Sequence, residues 1–88
     1  MRLKGKTALI TGGSEGIGKS TALLFCKEGA KVGIMARTKE NLDKVVSEAE
    51  GPGEIIAYQG DVSDSETVEN IVNEFYKKYG KIDILLDR

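Results

Sequence analysis

The sequence predicts an α/β fold in which a four-stranded parallel sheet, ordered 3-2-1-4, carries helices on both faces. Three observations support this. Short apolar runs alternate with segments of helical period along the chain. Breaks at Gly12-Gly13, Gly29, residues 51–53 (Gly-Pro-Gly) and Gly80 separate them. Strand–helix alternation requires crossover connections, which make the strands parallel, and right-handed crossovers leave few topologies. The doubly wound order returns the fourth strand beside the first, giving a partial Rossmann fold within one domain, residues 1–88.

The first strand is expected over residues 6–11, an apolar run that stops at glycine and reads as fully buried. The first helix follows from Ile17 to Glu28, with Ile17, Thr21, Ala22, Leu24 and Phe25 at helical spacing and Gly29 as its C-terminal cap. Residues 31–36 form the second strand. Thr38 can cap a second helix whose face carries Leu42, Val45, Val46 and Ala49. Residues 54–59 form the third strand. Ser63 or Asp64 caps a third helix with Val68, Ile71, Val72, Phe75 and Tyr79 on its apolar side, closed by Gly80. Residues 82–86 form the fourth strand.

This order places helices one and two on one sheet face and leaves helix three alone on the other. Strand four becomes an unpaired edge ending near Arg88. An uncovered apolar face and a bare edge both invite association, so a homo-oligomer through either is expected.

Composition narrows the function. With 88 residues, a net charge of −1 and no basic stripe, the chain gives no footprint for nucleic acid. No apolar run approaches the ~20 residues that span a bilayer, and no signal peptide is evident at the N-terminus. A single cysteine, Cys26, allows no internal disulfide and fits a reducing cytoplasm. Its apolar neighbours mark it as a buried structural thiol. With no histidine, the chain cannot hold a Ser-His-Asp triad or a histidine-ligated metal.

The loop from Thr11 to Gly18 (Thr-Gly-Gly-Ser-Glu-Gly-Ile-Gly) joins the first strand to the first helix. Phosphate binding needs close backbone approach and oriented N–H donors, which glycines and a helix N-terminus supply. Two motifs overlap there. One is TGxxxGxG. The other is the P-loop pattern GxxxxGK(S/T), met from Gly13 through Gly18, Lys19 and Ser20. In the second reading Lys19 reaches phosphates, Ser20 holds Mg²⁺ and Asp87 is the carboxylate after strand four. An ATP-binding protein and an assembly module with vestigial nucleotide binding therefore stand as alternatives.

Leu3-Lys4-Gly5-Lys6, the TGxxxGxG loop, Ala36-Arg37, Asp61-Val62 and Tyr79-Gly80-Lys81-Ile82-Asp83 occur in that order. With them the chain resembles the N-terminal half of a short-chain dehydrogenase/reductase. The resemblance implies that Gly12, Gly16, Ile17 and Gly18 receive a dinucleotide pyrophosphate, Thr11 fixes the turn, and Ser14 touches the adenosine ribose or its phosphate. It also implies that Asp61 bonds the adenine amino group while the Val62 backbone reads the ring. An acid after strand two would favour NAD, whereas an arginine there accommodates the 2′-phosphate of NADP. Arg37 stands there, so NADP is the expected cofactor, with NAD possible and Glu15 a repulsive neighbour for the extra phosphate.

The family's catalytic Tyr with Lys four positions later is missing. Tyr58, Tyr76 and Tyr79 are followed at that spacing by Val62, Gly80 and Asp83, and the family's Asn-Asn positions hold Asp87 and Arg88. The expectation is a dinucleotide-binding portion, truncated before the catalytic region and unable to transfer hydride alone.

Overall fold

A computed structural model describes residues 2–12 and 16–86. The order is β1 (Thr7–Thr11), α1 (Gly16–Lys27), β2 (Lys31–Ala36), α2 (Lys39–Glu48), β3 (Glu54–Gln59), α3 (Ser65–Tyr79) and β4 (Ile84–Leu86). All strand pairs are parallel, and the sheet order is β3-β2-β1-β4, as the sequence predicts. β1 starts at Thr7 rather than Lys6, and β4 at Ile84 rather than Ile82.

β1 is buried throughout because strands and helices flank it on all sides. Its residues alternate between two cores. Ile10 joins Val32, Ile34 and Ala36 of β2 with Ala22 of α1 and Leu42 and Val45 of α2. Leu9 points the other way and joins Met35 with Ile71 and Phe75 of α3. α1 and α2 thus share one face, and α3 lies on the other. Gly33 makes the second core possible, since a Cβ there would lie 2.8–2.9 Å from Leu9 and the Phe75 ring. Phe75 also meets Tyr58 and Tyr79 edge-on, at centroid separations of 6.4 and 4.9 Å.

α1 corrects the expected face. Its buried residues are Gly18, Ala22 and Cys26, four apart, whereas Ile17 is 64% and Leu24 55% exposed. The helix lies close on the sheet, and only a ridge of small side chains fits the gap. Thr21 and Phe25 are half-buried at its flanks. Cys26 is buried as expected, and burial pushes its thiol pKa up. α1 ends in a Schellman turn: Gly29 N–H donates to the Cys26 carbonyl and Ala30 N–H to that of Phe25.

Two details of α2 also differ. Thr38 occupies the N-cap position, but its side chain makes no capping bond. Val46 is 41% exposed, and Ala49 lies past the last turn as the C-cap. The Asp64 side chain, rather than Ser63, caps α3 by accepting from the Glu66 and Thr67 amides. Gly80 ends α3 in the left-handed conformation, φ 80°.

A polar clip fixes β4 against β1. Thr7 N–H donates to Asp83 Oδ2 (2.9 Å), Thr7 Oγ1 donates to the Lys81 carbonyl (2.8 Å), and Asp83 N–H donates to the Thr7 carbonyl (3.0 Å). The Thr7 amide, with Lys81 beside it, holds the Asp83 carboxyl below the usual carboxylate range. At the same end of the molecule, the Tyr79 hydroxyl donates to the Glu54 carboxylate and ties α3 to β3.

Candidate functional site

The sheet order reverses at the β1–β4 boundary, with β2 and β3 on one side of β1 and β4 on the other. Open α/β sheets take ligands outside the carboxyl ends of their strands at such a point. The described residues among those expected at the site lie at or after the carboxyl ends of β1, β2 and β3.

β1 delivers Thr11 and Gly12 there. Thr11 Oγ1 donates to the Leu86 carbonyl (3.3 Å), tying the end of β1 to the end of β4. Gly12 has a φ of 73° and donates its N–H to the Met35 carbonyl at 2.7 Å. Gly16 opens α1 at a φ of 55°, and a Cβ added there would meet nothing within 4 Å. The left-handed backbone at both positions favours glycine over other residues. The space beside Gly16 is open, and the first turn of α1 carries no acidic side chain. The N–H groups of a helix's first turn and its positive dipole end suit an anion. Ile17 is exposed, while Gly18 is buried and lets α1 approach the sheet. Ser14 lies outside the described residues, as do Gly13 and Glu15 of the loop and Asp87 and Arg88 after β4.

β2 and β3 deliver the other flank. Arg37 follows β2 and is exposed. Gly60 N–H donates to the Ala36 carbonyl (2.9 Å), and Gln59 Nε2 donates to the Arg37 carbonyl (3.1 Å). Next on the chain, Asp61 Oδ1 accepts from the Ser63 amide (2.9 Å) and hydroxyl (2.7 Å). Those two bonds hold the Asp61 carboxyl below its ordinary range, with a smaller contribution from the Arg37 charge. Asp61 is thus both a turn residue and a fixed anion at the strand end. Val62, 39% exposed, joins Thr11, Ser65, Val68, Val72 and Leu85 around an open cleft of about 310 Å³.

Sequence reasoning missed Gln59 and the Ser63 hydroxyl. A Ser two residues after an Asp is a turn signal that could have exposed the second. No signal marks Gln59 before the strand register is known.

Tyr58 and Tyr79 are not set up as acid/base groups. Burial pushes the Tyr58 and Tyr79 phenols above their ordinary pKa, opposite to the activation an acid/base tyrosine needs at neutral pH. Tyr76 is exposed on α3. Among the described residues, no three Asp, Glu or Cys side chains group to hold a metal, and no helix is long and apolar enough to cross a membrane.

Lys19, the lysine of the P-loop pattern, forms a 2.7 Å ion pair with Glu48 at the end of α2. A phosphate-binding lysine would have to leave that pair. Comparison with known proteins bears on the same choice. The family model for short chain dehydrogenases matches residues 6–87. A 3-oxoacyl-(acyl-carrier-protein) reductase of Thermotoga maritima is 49% identical over 88 residues, covering 99% of this chain and 36% of the reductase. A short-chain dehydrogenase from Bacillus anthracis superposes with a TM-score of 0.88 at 40% identity, over 98% of this chain and 35% of that one. An NAD⁺-bound xylitol dehydrogenase does so with a TM-score of 0.89 at 32% identity, over 97% and 33%. The chain therefore spans about a third of the length of these relatives. The family is one that binds NAD or NADP, and neither the ATP-binding alternative nor an assembly module finds support in these matches. With its sheet order, its glycine turn and a match over nearly its whole length, the chain belongs to the short-chain dehydrogenase family of oxidoreductases.

Proposed function

We propose that these 88 residues form a dinucleotide-binding unit that holds the adenosine and pyrophosphate side of NADP for a cytoplasmic oxidoreductase acting on alcohol or carbonyl groups. The observation that carries the reading is the C-terminal edge of the sheet. Left-handed glycines and a helix whose first turn carries no acidic residue meet there with Arg37 and Asp61 at the ends of neighbouring strands.

Gly12, its own N–H held by the Met35 carbonyl, lets the backbone approach the pyrophosphate, and Gly16, Ile17 and Gly18 offer it N–H groups, with Thr11 bracing the turn and Ser14 reaching the ribose or its phosphate. Asp61 Oδ1 is occupied by Ser63, which leaves Oδ2 to accept from an adenine amino group. The Val62 backbone borders the ring. Arg37 favours NADP over NAD because its guanidinium matches a 2′-phosphate and no acid follows β2 to bond a ribose hydroxyl. When bound, the cofactor supplies the hydride chemistry. The chain contributes binding and orientation and, lacking the Tyr–Lys pair, does not turn over alone.

A homo-oligomer is part of the same proposal. Leu85 is 56% exposed on the α3 side of β4, whose outer edge pairs with no strand among the described residues, and self-association would cover both.

Calorimetric titration with NADPH, NADH and Mg-ATP tests the reading. NADPH is expected to bind most tightly, and Gly16→Val to abolish binding because a β-branched residue is strained at that φ. Mg²⁺-dependent ATP binding that Lys19→Ala abolishes, with no affinity for either dinucleotide, would contradict it.

A further inference from the structure

Arg37 sits in the short connection between β2 and α2, where a long side chain on an exposed turn has many conformations. The structure ties that turn to the neighbouring strand. Ala36 stands opposite Gln59 in the parallel register. One residue beyond that pair on the β3 side, the Gly60 amide donates to the Ala36 carbonyl and ends the ladder. The Gln59 side chain continues it by donating Nε2–H to the Arg37 carbonyl at 3.1 Å, across 22 positions of sequence. This bond restrains the Arg37–Thr38 peptide, and with it the direction in which the Arg37 side chain leaves the backbone.

The same strand end carries Asp61, whose negative charge is felt by Arg37. A turn held at its carbonyl leaves mainly side-chain torsions to be ordered when an anion arrives, which lowers the entropic cost of binding. A loose turn would have its backbone to order as well, and could swing the guanidinium toward Asp61.

We propose that Gln59 is a positioning residue for cofactor choice: by pinning the Arg37 turn, it sets the preference for a nucleotide bearing a 2′-phosphate. The inference rests on the reading of Arg37 as the partner of that phosphate. Gln59 touches no cofactor atom in this role and acts only through Arg37. Its effect falls on the difference between two nucleotides and leaves their shared contacts alone.

The test uses adenosine 2′,5′-bisphosphate and adenosine 5′-monophosphate as probes, titrated into the chain and its variants. The unaltered chain should prefer the bisphosphate, and Arg37→Ala should remove that preference. Gln59→Ala and Gln59→Met, neither able to donate the bond, should each reduce the preference about threefold to tenfold while leaving 5′-monophosphate affinity unchanged. If Arg37→Ala removes the preference and both Gln59 variants keep it, the positioning role is overturned and the Arg37 reading survives. Equal weakening of both probes by the Gln59 variants would overturn it too, because that marks general damage to the site. An unaltered chain with no preference would overturn the Arg37 reading and the inference together.

Discussion

The two faces of the sheet are built from the same strands and differ in how they are covered. On one face, Ile10, Val32, Ile34 and Ala36 lie under two helices, and every one of them is buried. On the other, Leu9 and Met35 lie under α3 alone, and Leu85 beyond its edge is 56% exposed. Residue chemistry does not explain the contrast, since Leu85 is as apolar as Leu9. Chain order does. Each crossover delivers one helix, and the return from β3 to β4 sends α3 by itself to the second face. The cleft bordered by Thr11, Val62 and Leu85 lies where that single helix stops covering the sheet. Among the described residues, the surface beside the proposed nucleotide edge is open.

The strongest way to break this comparison is to remove the one large anchor of the thinly covered face. Phe75 is fully buried over Gly33 and meets Tyr58 and Tyr79 edge-on. Phe75→Ala should cost about 3–5 kcal/mol in urea unfolding, enough to leave so small a domain near its midpoint without denaturant. Leu42→Ala on the doubly covered face should cost about 2–3 kcal/mol, because neighbours from α1 and the strands close around the gap. A larger loss at Leu42 than at Phe75 would show that the two faces are not held as described.

A smaller effect sharpens the same contrast. If self-association covers the open face, light scattering across micromolar concentrations should show oligomers, and Leu85→Glu should shift them toward monomer with little change in fold stability. A species that stays monomeric throughout would remove the oligomer. Ile17→Glu serves as a control, since that side chain is also more than half exposed but lies on α1.

The sequence was legible where burial is uniform. β1 and β2 are continuous apolar runs because they are covered on both faces, and α3 shows its face through Ile71 and Phe75. α1 misled because hydrophobic spacing favours bulky residues, whereas a helix lying close on a sheet buries small ones. Ala22 is buried as expected, but Gly18 carries no hydrophobic signal, and Ile17 and Leu24 carry much of it toward solvent. Within the site, the glycine turn, Arg37 and Asp61-Val62 were readable as local patterns. Gln59 was not, because its partner is 22 residues away and they meet only through the β2–β3 register. The cap at Thr38 illustrates the same limit. Residue type fixed the position, but not whether the hydroxyl would make its bond.

The most direct test of the central claim, that a dinucleotide lies across the carboxyl ends of these strands, is an amide chemical-shift titration of the chain with NADP⁺. Saturable shifts are predicted at Gly12, Gly16, Ile17, Gly18, Arg37, Asp61 and Val62. The amides of Lys31, Glu54 and Asp83, at the opposite end of the sheet, should not move. Shifts concentrated at that opposite end, or no saturable shift at Gly12, Gly16 and Asp61, would contradict the claim.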